Sequence, residues 1–505
     1  MESIISVKLV LNALAAYLFL HLLRYLTQDA REPPSIANLV PFVSPLVGMA
    51  REKSKFYLRL RDTYKLPIYT LRLPFTRIYV VNSTELIPLI QKQWRTVSFA
   101  ALAADVGHTV GMSKEVVKVL HDDITSEHGF SVSWPRYIMP ALSPGKDLDA
   151  MNRVAITVLS EETESLRTKG TIATVGLAEW SRQAMVTATT EAVWGPENPY
   201  RNSEVEEAWK TFEAGFLTLA MFPLAKYFSP HLYRARERVA AAMIEYMRRG
   251  SYKTASGLVR RRFEHHSGLF GLPIDEIARG ELGNTFAVLG NSTPCAFWVL
   301  FHIFSDEKVL RDIRSELRPL VKETRNEDGE RVCSIDLSSI RASCPTLISA
   351  FQETLRYRAE NPGPRVIVED VLLDGRILLK KGSLLMIPAP VQHTDMSAWG
   401  DDAREFDHLR FARKLEPGRK GPNRVAFRAF GGGHVLCPGR HFASLEITAL
   451  SALMALQFDV TPIGGEWAAF PVPDKDVMVQ LKPLGPGTKW QVTYSGADEV
   501  IGIVS

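Results

Sequence analysis

The stretch Phe430-Gly431-Gly432-Gly433-His434-Val435-Leu436-Cys437-Pro438-Gly439-Arg440, with a helical run from His441 to Leu456 behind it, constrains this chain more than any other. Three consecutive glycines let backbone approach a flat partner where any Cβ would collide. Pro438 suits the first position of a helix, where a missing N–H leaves nothing unsatisfied. The N–H groups of Gly439 and Arg440 can then point back at the Cys437 sulfur. The start of a helix favours negative charge, so the sulfur is held as a thiolate. A soft anionic sulfur on a flat apolar face is what an axial haem-iron ligand requires. The competing reading is a glycine-rich turn around a buried structural cysteine, since most cysteines behave as small hydrophobes.

The pattern Phe-Gly-Gly-Gly-x-x-x-Cys-Pro-Gly-Arg resembles the haem-binding signature of the cytochrome P450 superfamily, and the motifs upstream stand in that family's order. The resemblance implies the cytochrome P450 fold, mainly α with a smaller β region. It implies iron protoporphyrin IX with Cys437 as the metal ligand, and Phe430, Gly433 and Gly439 shaping the cofactor loop. One position departs. The basic residue usual two places before the cysteine is Val435 here, which leaves one propionate contact unassigned. That departure resembles the branch holding prostacyclin synthase, the bile-acid steroid hydroxylases and their fungal relatives.

Asp275 to Phe304 reads as one long helix, with Asp275 and Glu276 complementing its N-terminal dipole. Pro294 removes a donor and opens it locally beside Asn291, Ser292 and Thr293. Exposed amide and hydroxyl groups there suit proton relay; a buried kinked helix without chemistry is the alternative. The family's usual acid before the threonine is missing, and Asn-x-x-Pro followed by Phe297-Trp298 again resembles the same branch. Asn291 and Thr293 are therefore the candidate catalytic residues. Glu353 and Arg356 share a helix face, and their position 84 residues before Cys437 matches the family's Glu-x-x-Arg. With Arg410 they would form a buried network that locks the cysteine loop. Arg365, after Pro362-Gly363-Pro364, stands where the family usually meets a propionate; a solvated strand-edge arginine is the alternative.

Alternation around Pro74 predicts two strands over residues 68–81, and Thr84 to Gln91 reads as a helix. Residues 95–145 show weak periodicity and many turn formers, so a loop-rich region is expected, and the resemblance implies that it covers the site and supplies substrate contacts. Helices are expected over 147–167 and 173–193. The resemblance makes the helical pair 203–220 and 232–249 a lid, though an ordinary surface hairpin fits equally. Hairpin turns are expected at Asp374-Gly375 and Lys381-Gly382, and a Pro-rich apolar turn over 467–473, which the resemblance implies contacts substrate.

Ile4 to Leu26 is predominantly apolar and long enough for one tilted membrane helix if its flanking basic residues snorkel; a buried N-terminal helix is the alternative. The expected division is an anchor over 1–30, a Pro-rich hinge over 31–50 and a haem-thiolate catalytic domain over 51–505. Arg24 and Arg31 favour a cytosol-facing catalytic part on a single-pass anchor, and the resemblance to microsomal members implies the endoplasmic reticulum membrane. Four cysteines without paired spacing read as reduced thiols. A net charge of +4 is too mild to indicate nucleic acid. Seven basic residues between 410 and 428, against the single acid Glu416, would face an acidic NADPH-cytochrome P450 reductase, unless they are simply a solvated face.

The resemblance then implies a monooxygenase that oxidises a large apolar substrate, of triterpenoid or steroid type, with dioxygen and NADPH-derived electrons. The alternative is a haem-thiolate isomerase or dehydratase that acts on a peroxide without external reductant. The missing acid favours that alternative, and the basic run argues against it.

Overall fold

The computed structural model describes residues 2–36, 40–168, 172–221, 225–412, 422–465, 467, 476–485 and 487–496. At its centre lies the helix Arg440–Gln457, buried on every face from Glu446 to Gln457. Such a helix has no polar face to offer solvent and must be enclosed. Pro345–Arg358, Ser292–Phe304, Glu307–Leu317 and Lys146–Thr168 enclose it, and Leu177–Trp194 packs across Lys146–Thr168 and Ser292–Phe304. Together they bury one continuous apolar core.

A five-stranded sheet stands to one side, in the order Ile68–Leu73, Thr76–Val81, Leu384–Met386, Pro364–Ile367, Val97–Ser98. The first two strands form the expected hairpin, with Phe75 at φ 69° in its turn. Leu384–Met386 runs parallel to one neighbour and antiparallel to the other, pairing Leu385 with Arg365. Asp374 and Gly375 both adopt positive φ and close the hairpin Val371–Leu373 to Ile377–Leu379, as an Asp-Gly turn prefers.

Three expectations change. Residues 95–145 are largely helical, as Phe99–Val110, Lys114–His121 and Phe130–Leu142. Ser98 and Ser113 cap the first two by accepting from Ala101 and Val116 N–H, a local device that outweighs the weak periodicity. Residues 173–176 are a strand, not the start of a helix, because they pair with Met478–Pro483 three hundred residues away. The expected single helix over 275–304 is two, Ile274–Leu289 and Ser292–Phe304. Ser203–Met221 and Pro230–Arg248 pack as the expected helical pair.

Glu2–Leu26 forms one helix whose apolar side chains from Leu9 onward stand in solvent. The segment after it is docked on the sheet. Glu32 is buried and accepts from Arg77 Nη1 at 3.0 Å and Tyr79 hydroxyl at 2.9 Å, with Lys380 Nζ at 3.2 Å. The helix Ser44–Glu52 begins within the expected hinge and runs past its end at residue 50.

Candidate functional site

Phe430, Gly433, Cys437 and Gly439 come together in a single loop ahead of the central helix. The Cys437 N–H donates to the Phe430 carbonyl at 2.8 Å, and Arg440 Nη1 donates to the Cys437 carbonyl at 3.1 Å. Gly431 sits at φ 76°, and a Cβ there would lie 2.5 Å from the Val435 carbonyl oxygen. Gly433, at φ 61°, opens the short 3₁₀ turn Gly433–Val435. Both positions demand glycine. The helix begins at Arg440 with Gly439 as N-cap, so Pro438 stands one residue ahead of the cap and not at the first helical position. Burial pushes the Cys437 thiol up, and the Gly439 N–H, the Arg440 charge and the Arg440 N–H pull it back towards the thiolate.

Behind the loop, Arg356 is fully buried and all five of its N–H groups are used. Nε and Nη2 each reach Glu353 at 2.7 Å. Nη1 donates to the carbonyls of His393 and Ala403, and Nη2 to that of Glu405, at 2.6 to 2.7 Å. Arg410 Nε adds contacts of 3.1 and 3.2 Å to the Glu353 carboxylate. His393 carries this network to the cysteine loop. Its Nδ1 lies 2.8 Å from the Arg356 carbonyl, and the Arg428 N–H donates to Nε2 at 2.8 Å. Burial, and then the Arg356 charge, push His393 down to about 3, so it is neutral with its proton on Nδ1. Sequence reasoning missed His393, because a carbonyl-to-amide bridge leaves no spacing signature.

Arg365 is buried in its strand. Nη1 donates to the Pro364 carbonyl at 2.7 Å, and its guanidinium lies 5.4 Å from the Phe99 ring centre. The solvated strand-edge alternative is thereby excluded. Burial, then the neighbouring Arg428 charge, lower Arg365 to about 10, and burial lowers Arg428 to about 10. Among the described residues neither guanidinium has a carboxylate partner.

The split helix opens at Gly290 and Asn291. Pro294 offers no N–H to the Gly290 carbonyl four residues back, so the break falls upstream of the proline. Asn291 is exposed and makes no side-chain cap bond. The Ser292 and Thr293 hydroxyls donate to the Val288 and Leu289 carbonyls at 2.7 and 3.0 Å. Thr293 therefore keeps only acceptor capacity for a further partner. Ser292–Phe304 packs directly on the central helix that follows Cys437.

Two members of the expected basic surface run are not on the surface. Arg410 belongs to the buried network and Arg428 is 6% exposed. Arg424 is exposed, while Arg413, Lys414, Glu416, Arg419 and Lys420 lie outside the described residues, as do residues 468–473 of the expected substrate turn.

A soft sulfur faces two backbone N–H groups, and the glycine run leaves the loop backbone bare. Two buried cations near it want an anion. These features suit a flat, anionic group whose metal takes a thiolate.

The family described as Cytochrome P450 matches residues 33–485. The cytochrome P450 monooxygenase nodJ of Hypoxylon pulicicidum is 36% identical over 449 residues, which span 87% of this chain and 85% of that protein. The 25-hydroxycholesterol 7-alpha-hydroxylase of Rattus norvegicus is 26% identical over 221 residues, covering 41% of this chain and 52% of that one. Retinoic acid bound cyanobacterial CYP120A1 has the same fold, with a TM-score of 0.70 at 17% identity, over 90% of this chain and 100% of the other.

Proposed function

Because this chain belongs to the cytochrome P450 family and is a haem-thiolate monooxygenase, we propose that it oxidises a large apolar ring system, of triterpenoid or steroid type, with electrons from NADPH delivered by a separate reductase. The observation that carries the reading is the cysteine loop, with its sulfur under two N–H groups and its backbone braced through His393 to the Glu353–Arg356 pair. Likeness to a hydroxycholesterol hydroxylase supports the substrate class.

Haem held by Cys437 would supply the oxidation chemistry, in which one atom of dioxygen enters the substrate and the other leaves as water with two electrons from NADPH and two protons. The residues of the chain hold and tune it. Cys437 is the proposed iron ligand, and the Gly439 and Arg440 N–H groups stabilise negative charge on its sulfur. Phe430 anchors the loop through its carbonyl, and Arg365 meets a propionate. At the helix opening, the Asn291 amide can donate to a water while the Thr293 oxygen accepts from one. A water held between such groups delivers protons from the bulk.

Residues 1–30 act as a single membrane anchor of the endoplasmic reticulum, 31–50 as a docked hinge and 51–505 as the cytosol-facing catalytic domain. The exposed Arg424 lies within the proposed reductase-facing surface. The test is turnover of apolar ring substrates, first chosen by spectral binding, with NADPH and reductase. Product that requires both supports the reading. Full-rate conversion of a peroxide substrate without reductase would instead favour an isomerase or dehydratase.

A further inference from the structure

We propose that Arg428 is a haem-propionate ligand that takes over the role lost where the family's usual basic residue is replaced by Val435. The inference rests on the haem-thiolate reading and goes beyond it, because it assigns a cofactor contact to a residue nine places before Cys437 and seven before Val435.

The geometry begins with Gly432. Its φ of 163° is extended backbone open to any residue, so the turn does not require glycine there. The glycine saves room. A Cβ would collide with Arg428 Nη1 and lie 3.0 Å from Gln91 Nε2. Two donors therefore press against bare backbone of the cysteine loop.

Arg428 is only 6% exposed, yet among the described residues its guanidinium donates no hydrogen bond and meets no carboxylate. Its main chain is fixed, because its N–H is tied to His393. The side chain thus emerges from a braced point. Arg365, 8% exposed and equally without a carboxylate, lies within electrostatic reach and repels it. Burying one unpaired cation is costly, and burying two that repel is more so. A dianion beside the loop resolves both, and the two propionates of haem carry that charge. Bidentate geometry favours arginine for such carboxylates.

The experiment measures haem transfer to excess apomyoglobin, read from Soret absorbance. Wild type, Arg428→Met, Arg428→Lys and Gly432→Ala are each loaded with iron protoporphyrin IX or with its dimethyl ester, which has no propionate charge. With the free acid, Arg428→Met and Gly432→Ala should lose haem about 10- to 100-fold faster than wild type, the range of one charged hydrogen bond. Arg428→Lys should fall between. With the ester, wild type should already be fast and the substitutions should change little. Equal acceleration with both haems would show that Arg428 only supports the fold, and no acceleration would place the contact elsewhere. Either overturns the proposal. Should Arg428→Met not fold, Arg428→Lys and Gly432→Ala carry the same comparison. A wild type without a thiolate haem spectrum would sink the underlying reading instead, which keeps the two failures apart.

Discussion

Arg356→Ala removes a guanidinium that is wholly buried with all five donors engaged. Glu353 would keep Arg410 at 3.1 and 3.2 Å and the Asp407 N–H at 2.9 Å. The carbonyls of His393, Ala403 and Glu405 would lose their donor. Breaking a buried pair costs about 3–5 kcal/mol, a large share of the about 5–15 kcal/mol that holds a typical domain. At a slope of about 3 kcal/mol per molar urea, the unfolding midpoint should fall by about 1 M or more. Arg356→Lys sharpens the test. An ammonium has three donors for five acceptors, so two go unserved at about 1.5–3 kcal/mol each. Lysine should therefore be nearly as damaging as alanine. The assay is the urea midpoint by tryptophan fluorescence, together with haem content per folded chain. A lysine variant with wild-type midpoint and full haem would refute the reasoning, since charge alone would then suffice.

Glu446 is buried and accepts from the Thr189 hydroxyl at 3.1 Å, and burial pushes its carboxyl well above the usual range. A raised folded pKa means the native state holds the proton more tightly, so this contribution is full below about 4.5 and is lost as pH rises towards the folded value. Glu446→Gln should be more stable than wild type above that point, with a gap that widens with pH; parallel urea midpoints across the neutral range would contradict this. Asn291→Leu and Thr293→Val should retain spectral substrate binding while product per NADPH consumed falls severalfold and hydrogen peroxide rises. Unchanged coupling in both would remove them from the relay. Deleting residues 2–26 should shift the protein from the membrane pellet to the supernatant, and full retention in the pellet would mean that another surface anchors it.

Much of the site was legible because turn and ligand chemistry is local. Cys437 between glycines and proline, Asp374-Gly375 and the strands around Pro74 each declare themselves within a few residues. Glu353 and Arg356 were readable from spacing and order, although their five-point geometry was not. Other features are set at long range. The strand Ala173–Gly176 exists because of a partner near residue 480. Helix Phe130–Leu142 contains Pro135 and Pro140, which mask its periodicity. Pro294 marked the right helix, but the lost bond belongs to the carbonyl four residues earlier, so the opening lies at Gly290 and Asn291. Arg428 looked like one more surface cation in a basic run, and only its burial against Gly432 separates it from Arg424.

The central claim is that Cys437 binds haem iron as a thiolate, and the Soret band of the reduced, carbon monoxide-bound protein tests it most directly. Wild type should show the long-wavelength band that a thiolate opposite the gas produces. Cys437→Ala should lose it, while serine at Cys295, Cys333 or Cys344 should preserve it. A thiolate-type band retained by Cys437→Ala would contradict the account.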